Sequence, residues 1–384
     1  MRARAAIAPL AFLLPAVGQA QETGVTPDRV RFGQTAALTG PSAGLGTGVR
    51  DGILAAFGEV NDAGGIHGRQ LELVALDDGY EPATALTNAR RLLAEEQVFA
   101  LIGAVGTPTS EPAEQVAEDG GAPYIGPYTG AEFLRDPVGA PTTVNVRASY
   151  FQETAEMVQR LTRDLGINRI AVLSQDDSYG QAGLRGVQMA LSGSGLQLAG
   201  HAVYRRNTTA VKMAALELRH AQPEAVIVIG AYRPAAAFVR WCHRLGFRPL
   251  MMNISFVGGE LLAEDLRAVG EGVLVTQVMP HPEDTSLDVV RRYRAALRRH
   301  APRAPFSYVS LEGYVAGRVA AEGLERAGLD PTRARFLEIF RSPAPMDFGG
   351  ITLRYGPGDN RGSDQVFLTR IGPDGRLTSI GSLR

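Results

Sequence analysis

The sequence predicts an α/β protein of two doubly wound, Rossmann-like lobes joined by a three-crossing hinge. Three observations carry that reading. Apolar strand-like runs alternate with amphipathic helical segments along most of the 384 residues. Many of the runs are short and continuous, as in AVIVIG at 225–230, which suits parallel strands buried on both faces. The chain is also too long for one hydrophobic core, which points to two domains.

Residues 1–20 read as a secretory signal. Arg2 and Arg4 form a basic start, residues 5–17 are apolar, and Gly18 and Ala20 supply small residues at −3 and −1 of a cleavage site after Ala20. The segment is too short for a membrane span, and no cysteine follows it to carry a lipid anchor. Cleavage leaves 364 residues and takes the formal charge from −1 to −3, which indicates neither a nucleic-acid nor a membrane-surface partner. The mature protein is expected to be soluble in the periplasm and monomeric. The single cysteine, Cys242, excludes an intramolecular disulfide and reads as a small core hydrophobe.

In the first lobe, strands are expected in VRFGQTA (30–36), LELVAL (71–76), FALIGA (99–104), APYIGP (122–127) and TTVNVR (142–147). Helices are expected near 46–62, 84–96, 109–119 and 130–134. A second series follows Arg147. Its strands are IAVLSQ (170–175), LQLAGHAVY (196–204), AVIVIG (225–230) and GVLVTQ (272–277). Helices lie near 151–165, 179–193, 209–220 and 234–246. The last third offers long helices at 286–300 and 307–327 and short strands in GGITLRY and DQVFLTRI. It is not expected to start a third sheet. Helices without a sheet must pack on an existing one, so the chain is expected to return to the first lobe near 278 and to the second near 349. Lobe 1 is then 27–147 plus 278–348, and lobe 2 is 148–277 plus 349–384.

Several motifs carry possible chemistry. GPSAG at 40–44 fits a nucleophile elbow centred on Ser42, but Pro41 fits a plain loop equally well and no histidine is suitably placed. GLGTG at 44–48 lacks the dinucleotide spacing, because position 49 is Val. No metal-ligand spacing occurs, and no cofactor is expected. The adjacent pairs Asp77, Asp78 and Asp176, Asp177 read as solvated loop or cap carboxylates.

Ligands of doubly wound sheets gather at the carboxyl ends of the strands. In the first lobe, GAVGTPTS at 103–110 ends a strand and opens a helix, with Thr107 expected as N-cap and Pro108 at the first helical position. Its neighbour, IGPYTG at 125–130, adds Tyr128, Thr129 and Gly130. With Gly106, these form two clusters of hydroxyls and amides suited to a carboxylate. In the second lobe Tyr179 and Tyr232 follow strands at corresponding places.

In order and spacing, LTGPSAGLG, NDAGGIHG, LDDGYEP, the run from Leu101 to Pro127, SQDDSYGQAG, VIGAYRP and EGVLVTQ resemble the Leu/Ile/Val family of type I periplasmic ligand-binding proteins of ABC importers. The resemblance implies a non-enzymatic two-lobed trap. A small polar or carboxylated, amino-acid-like ligand would be held by Thr107, the backbone near Tyr128 and Gly130, and Tyr179 and Tyr232. An inner-membrane ABC permease would be the partner, or a sensor receptor in an alternative reading; a secreted hydrolase using Ser42 is a third. The chain departs from the family in three ways. Ser255 falls where amino-acid binders carry a glutamate for the ligand ammonium, and Asp177 is the nearest sequence candidate to replace it. Leu45 stands in place of a covering aromatic. Tyr80 and Gly106 occupy the family's small-loop disulfide positions.

Overall fold

The computed structural model describes residues 22–384; the expected signal segment lies outside them. The first unit contains β1 (Arg29–Ala36), α1 (Ala43–Asp62), β2 (Gln70–Asp77), α2 (Pro82–Ala94), β3 (Ala100–Ile102), α3 (Thr107–Asp119), β4 (Tyr124–Ile125) and β5 (Thr143–Val144). Its five strands run in the order β2-β1-β3-β4-β5, all parallel. The second unit contains α4 (Tyr150–Gln159), β6 (Ile170–Gln175), α5 (Ser178–Gly193), β7 (Gly200–Tyr204), α6 (Lys212–Ala221), β8 (Ala225–Ile229), α7 (Tyr232–Arg244), β9 (Leu250–Asn253), α8 (Gly259–Leu266) and β10 (Leu274–Gln277).

The last third supplies α9 (Asp288–His300), α10 (Tyr308–Ala327), α11 (Arg333–Ile339), β11 (Met346–Asp347), β12 (Thr352–Gly356), β13 (Asp359–Gly362), β14 (Phe367–Ile371) and β15 (Leu377–Ile380). Strands β14 and β15 extend the second sheet, whose order is β15-β14-β10-β9-β8-β6-β7. They join it antiparallel, beside β10. Between β5 and α4, between β10 and α9, and between β13 and β14 the chain passes from one unit to the other.

Helix α10 seats on α1 through small residues. A Cβ on Gly52 would lie 2.0 Å from the Ser310 carbonyl oxygen, and one on Gly313 would lie 2.2 Å from that of Val49. Only glycine lets the two backbones approach this closely. That contact brings α10 back onto the first lobe and sets Glu312 against the connection after β5.

The structure departs from the sequence expectations in several places. Strand β9 and helices α8 and α11 were not anticipated. Strand β9 is LMMN, without a β-branched residue, and α8 opens on a glycine pair. The last third does form a third sheet, the small antiparallel β11-β12-β13. Short β-segments around the GPGD turn at 356–359 pair with each other before the chain reaches β14. Asp78 is not solvated. It is buried, accepts from the Thr35 hydroxyl and the Tyr80 amide, and burial pushes its carboxyl up to about 6. Asp77 does behave as a loop cap, accepting from the amides of Leu38, Thr39 and Gly79. Cys242 is buried, as a core hydrophobe should be, and its thiol is pushed up to about 12 by burial.

Glu114 lies on the inner face of α3, is 5% exposed, and is pushed up to about 7 by burial. A raised carboxyl stabilises the fold while protonated. Its contribution is complete below its unfolded value and is lost as pH rises toward about 7. Glu114→Gln is expected to be roughly 1–3 kcal/mol more stable than wild type at pH 8 and equal to it at pH 4, in urea unfolding. Gly52→Ala is expected to lose about 1–3 kcal/mol in the same assay. The clash with the Ser310 carbonyl outweighs the gain in helix propensity of about 1 kcal/mol.

Candidate functional site

The carboxyl ends of the two parallel sheets face each other across a buried layer. On the first lobe, Gly106 is the N-cap of α3, with φ of +103°. Thr107 is therefore the first helical residue rather than the cap. A Cβ at position 106 would lie 2.1 Å from the Tyr80 ring, so this place demands glycine. The same distance puts positions 80 and 106 side by side, as the resemblance implied for a disulfide pair. Freed from capping, Thr107 Oγ1 bonds Thr129 Oγ1 at 2.7 Å. The Thr129 hydroxyl in turn lies 3.2 Å from the Tyr150 hydroxyl. The Tyr150 amide donates to the Gly130 carbonyl.

Tyr150 opens α4, which is capped by a reciprocal pair. Ser149 Oγ accepts from the Gln152 amide while the Gln152 side chain accepts from the Ser149 amide. This box fixes the helix start and points Glu153, one turn in, toward the centre of the layer. There Arg147 is completely buried. Its guanidinium donates to Glu153 at 3.2 Å, to Glu312 at 3.3 Å and to the Ser255 hydroxyl. It also lies over the rings of Tyr128 and Tyr150, 5.1 and 5.9 Å from their centroids. Burial opposes its charge, yet Glu312 and Glu153 hold its pKa above the ordinary arginine value. Burial pushes Glu312 up to about 7 against the pull of Arg147.

Glu153 receives further donors from the second lobe: the Ser255 amide at 2.9 Å, the Ser255 hydroxyl at 2.9 Å and the Thr276 hydroxyl at 2.6 Å. The carboxylate beside Ser255 is thus Glu153, from an element that sequence counting did not connect with that position. Asp177, the expected substitute, is committed elsewhere. It caps α5 through the amides of Tyr179 and Gly180 and accepts from Gln175 and Arg206.

An aromatic wall closes the layer. Phe256 packs 4.6 Å from Tyr179, 5.5 Å from Tyr128 and 6.1 Å from Tyr80, centroid to centroid. Tyr179 also meets Tyr150 at 5.5 Å, and its buried hydroxyl has no partner among the described residues. Direct bonds span the lobes. The Tyr128 hydroxyl donates to the Ser255 carbonyl, Gln175 to the Tyr80 hydroxyl, and the Gly44 amide to the Tyr232 hydroxyl. Arg206 and Asn207 hold Glu81 at the rim. Leu45 is buried against the Gly258 turn.

All ten sequence candidates therefore lie along the interface between the lobes, with Tyr232 bonded to the Gly44 amide and Leu45 against Gly258, apart from the Thr107–Thr129–Tyr150 hydroxyls. Sequence reasoning assigned no role to Arg147, Tyr150, Glu153, Phe256, Thr276 or Glu312. One signal was available: Glu312 is the only charge in the helical stretch 308–317. Ser42 is buried at the start of α1, and none of the hydrogen bonds made by the described histidines reaches it. Among the described residues no group of acidic, histidine or cysteine side chains could hold a metal ion, and no helix is long and apolar enough to cross a membrane.

Known proteins share this architecture. The family model described as periplasmic binding protein matches residues 29–376. A Leu/Ile/Val-binding protein homolog 7 of Brucella abortus is 25% identical over 370 residues, covering 91% of each chain. The crystal structure of a possible leucine/isoleucine/valine-binding protein from Rhodopirellula baltica is 37% identical. It superposes with a TM-score of 0.87, over 92% of this chain and 96% of that one. A substrate-binding periplasmic protein from Ralstonia solanacearum is 29% identical, with a TM-score of 0.86 over 91% and 100% of the two chains. A single family match over nearly all the described residues, on the fold and facing sheet ends seen here, is decisive: the chain belongs to the periplasmic binding protein family, on its Leu/Ile/Val-binding branch.

Proposed function

We propose that this protein is the periplasmic, non-enzymatic binding component of an ABC importer. It traps a small carboxylated ligand between its lobes by hinge closure and presents it to the permease. The observation that carries this reading is the layer itself. Donor groups at the carboxyl end of the first sheet (Thr107 and Thr129), joined by Tyr150 from the start of α4, face Tyr179 and Ser255 from the second lobe, with aromatic rings between. Hydroxyls and helix-start amides suit a carboxylate, and the rings suit an apolar body. Export through the N-terminal segment, cleaved after Ala20, places the protein in the periplasm. The lobes are read from the three passages of the chain as 27–147 plus 278–362 against 148–277 plus 363–384; the third passage falls after β13 rather than near the expected 349, because Tyr355 and Asn360 bond Asn145 and Leu134 of the first lobe.

A thermal-shift screen over branched and aromatic acids, their keto and hydroxy forms, amides and amino acids tests the reading. A ligand at about 100 times its Kd stabilises by roughly 2.7 kcal/mol, a readily measured rise in Tm. No rise with any member of the panel would overturn it. With the ligand so found, Thr107→Val and Tyr179→Phe are each expected to weaken binding by about 5- to 100-fold in calorimetry while leaving the unfolding midpoint of the free protein within a few degrees. Each removes one hydroxyl worth roughly 1–3 kcal/mol in a dry cleft. Wild-type affinity in both variants would move the ligand elsewhere.

A further inference from the structure

We propose that the turn at 79–81 on the first lobe, with Gln175, Arg206 and Asn207 on the second, forms a clasp that holds the mouth of the cleft shut. The proposal rests on the reading of the two lobes as a trap that opens and closes about a hinge, and adds the contacts that set how long the trap stays closed.

The topology separates this contact from the others between the lobes. Two of the three passages leave from β5 and β13, which are neighbours at one edge of the first lobe, where the Asn145 amide donates to the Asn360 carbonyl. On the second sheet, β10 starts the remaining passage and β14 receives the last, and these two strands are paired. The turn at 79–81 follows β2, and residues 206 and 207 follow β7. Each of those strands is the edge of its sheet away from the passages. Opening about the passages therefore moves this contact farthest, and a bond here resists opening with the longest lever.

Four hydrogen bonds close the clasp. Gln175 Nε2 donates to the Tyr80 hydroxyl at 3.2 Å, and Arg206 Nη2 donates to Glu81 Oε2 at 2.8 Å. Asn207 Nδ2 spends its two hydrogens on Glu81 Oε1 at 2.7 Å and the Gly79 carbonyl at 3.0 Å. Both sides are built for the contact. Asp77 and Asp78 accept the Gly79 and Tyr80 amides, and Tyr80 takes a φ of +63° that a tyrosine seldom adopts. Asn207 has a φ of +58°, which asparagine tolerates. Glu81 stands at the N-cap of α2, yet its side chain makes no bond to that helix and is given to the second lobe instead. Arg206 also pairs with Asp177 at 3.2 Å, and Asp177 accepts the Tyr179 and Gly180 amides that open α5. The clasp is thus tied to the start of the helix that brings Tyr179 into the layer. The Glu81 side chain is half exposed, so its ion pair is weak and screened by salt. A few weak bonds at the mouth hold the lobes together and are easily undone.

Nitroxide labels on Thr87→Cys and Met189→Cys, one exposed position in each lobe, report the separation of the lobes by electron–electron double resonance in the ligand-free protein. The native Cys242 is buried and takes no label. In about 20 mM salt the ratio of closed to open molecules is expected to fall about threefold in Glu81→Ala, and equally in Asn207→Gly, which keeps the left-handed backbone. The double variant should lose about tenfold. Raising the salt to about 500 mM should lower the wild-type ratio and leave that of Glu81→Ala unchanged. Two populations in the same ratio in wild type and double variant, or an open population alone in the wild type, would overturn the clasp and leave the ligand trap standing. One closed separation in every variant at both salt concentrations would overturn hinge closure, and the clasp with it.

Discussion

The arrangement depends on one buried cation. Arg147 lies where the chain first leaves the first lobe, and it is paired at once with Glu153 on α4 and Glu312 on α10. Taking a guanidinium fully out of water costs several kcal/mol, and only close carboxylates and further hydrogen bonds offset it. Those partners come from segments far apart in sequence. The ring therefore requires that α10 return to the first lobe, that α4 start at a fixed point, and that Ser255 and Thr276 approach from the second sheet. Removing any one of these contacts leaves a charge or a lone pair unmatched.

The supporting features read as conditions for that ring. The glycine contacts of α1 and α10 bring Glu312 close enough. The capping box of α4 sets the angle at which Glu153 enters. The turn after β9 brings Ser255 within reach of both Glu153 and the Tyr128 hydroxyl. Around the charges, aromatic rings exclude water and strengthen every electrostatic contact within. The lobes meet through weak bonds at the rim and one charge-paired network at the centre, in which Arg147 Nε has no partner among the described residues. That division suits a trap whose closure must be specific yet reversible.

The two-lobed plan and most of the longer strands are legible in the sequence because alternation of apolar strands and amphipathic helices is a local signal. The family landmarks added the facing of the sheet ends. What stayed hidden was either short or non-local. Strand β9 has four residues and a Met-Met centre, and the third sheet is built from strands of two to five residues. Thr107 suits a cap by residue type, yet Gly106 takes that place. The steric demand that places glycine at 106 comes from Tyr80, 26 positions away in the chain. Ser255 is a sequence candidate, but the carboxylate beside it comes from a helix 102 positions earlier. No spacing rule reaches that far. Asp177 looked available because it follows a strand. Its four partners include its own helix amides and an arginine beyond the next strand.

The central claim is that Arg147 and Glu312 act as one unit across the layer. A double-mutant cycle measures this directly, with urea unfolding of the wild type, Arg147→Met, Glu312→Gln and the double variant at pH 8, where Glu312 is ionised. Each single change is expected to cost about 3–5 kcal/mol, and the double change less than their sum by about 2 kcal/mol or more. The coupling should shrink at pH 5, where Glu312 is protonated. Additive losses at pH 8, within about 0.5 kcal/mol, would contradict the account.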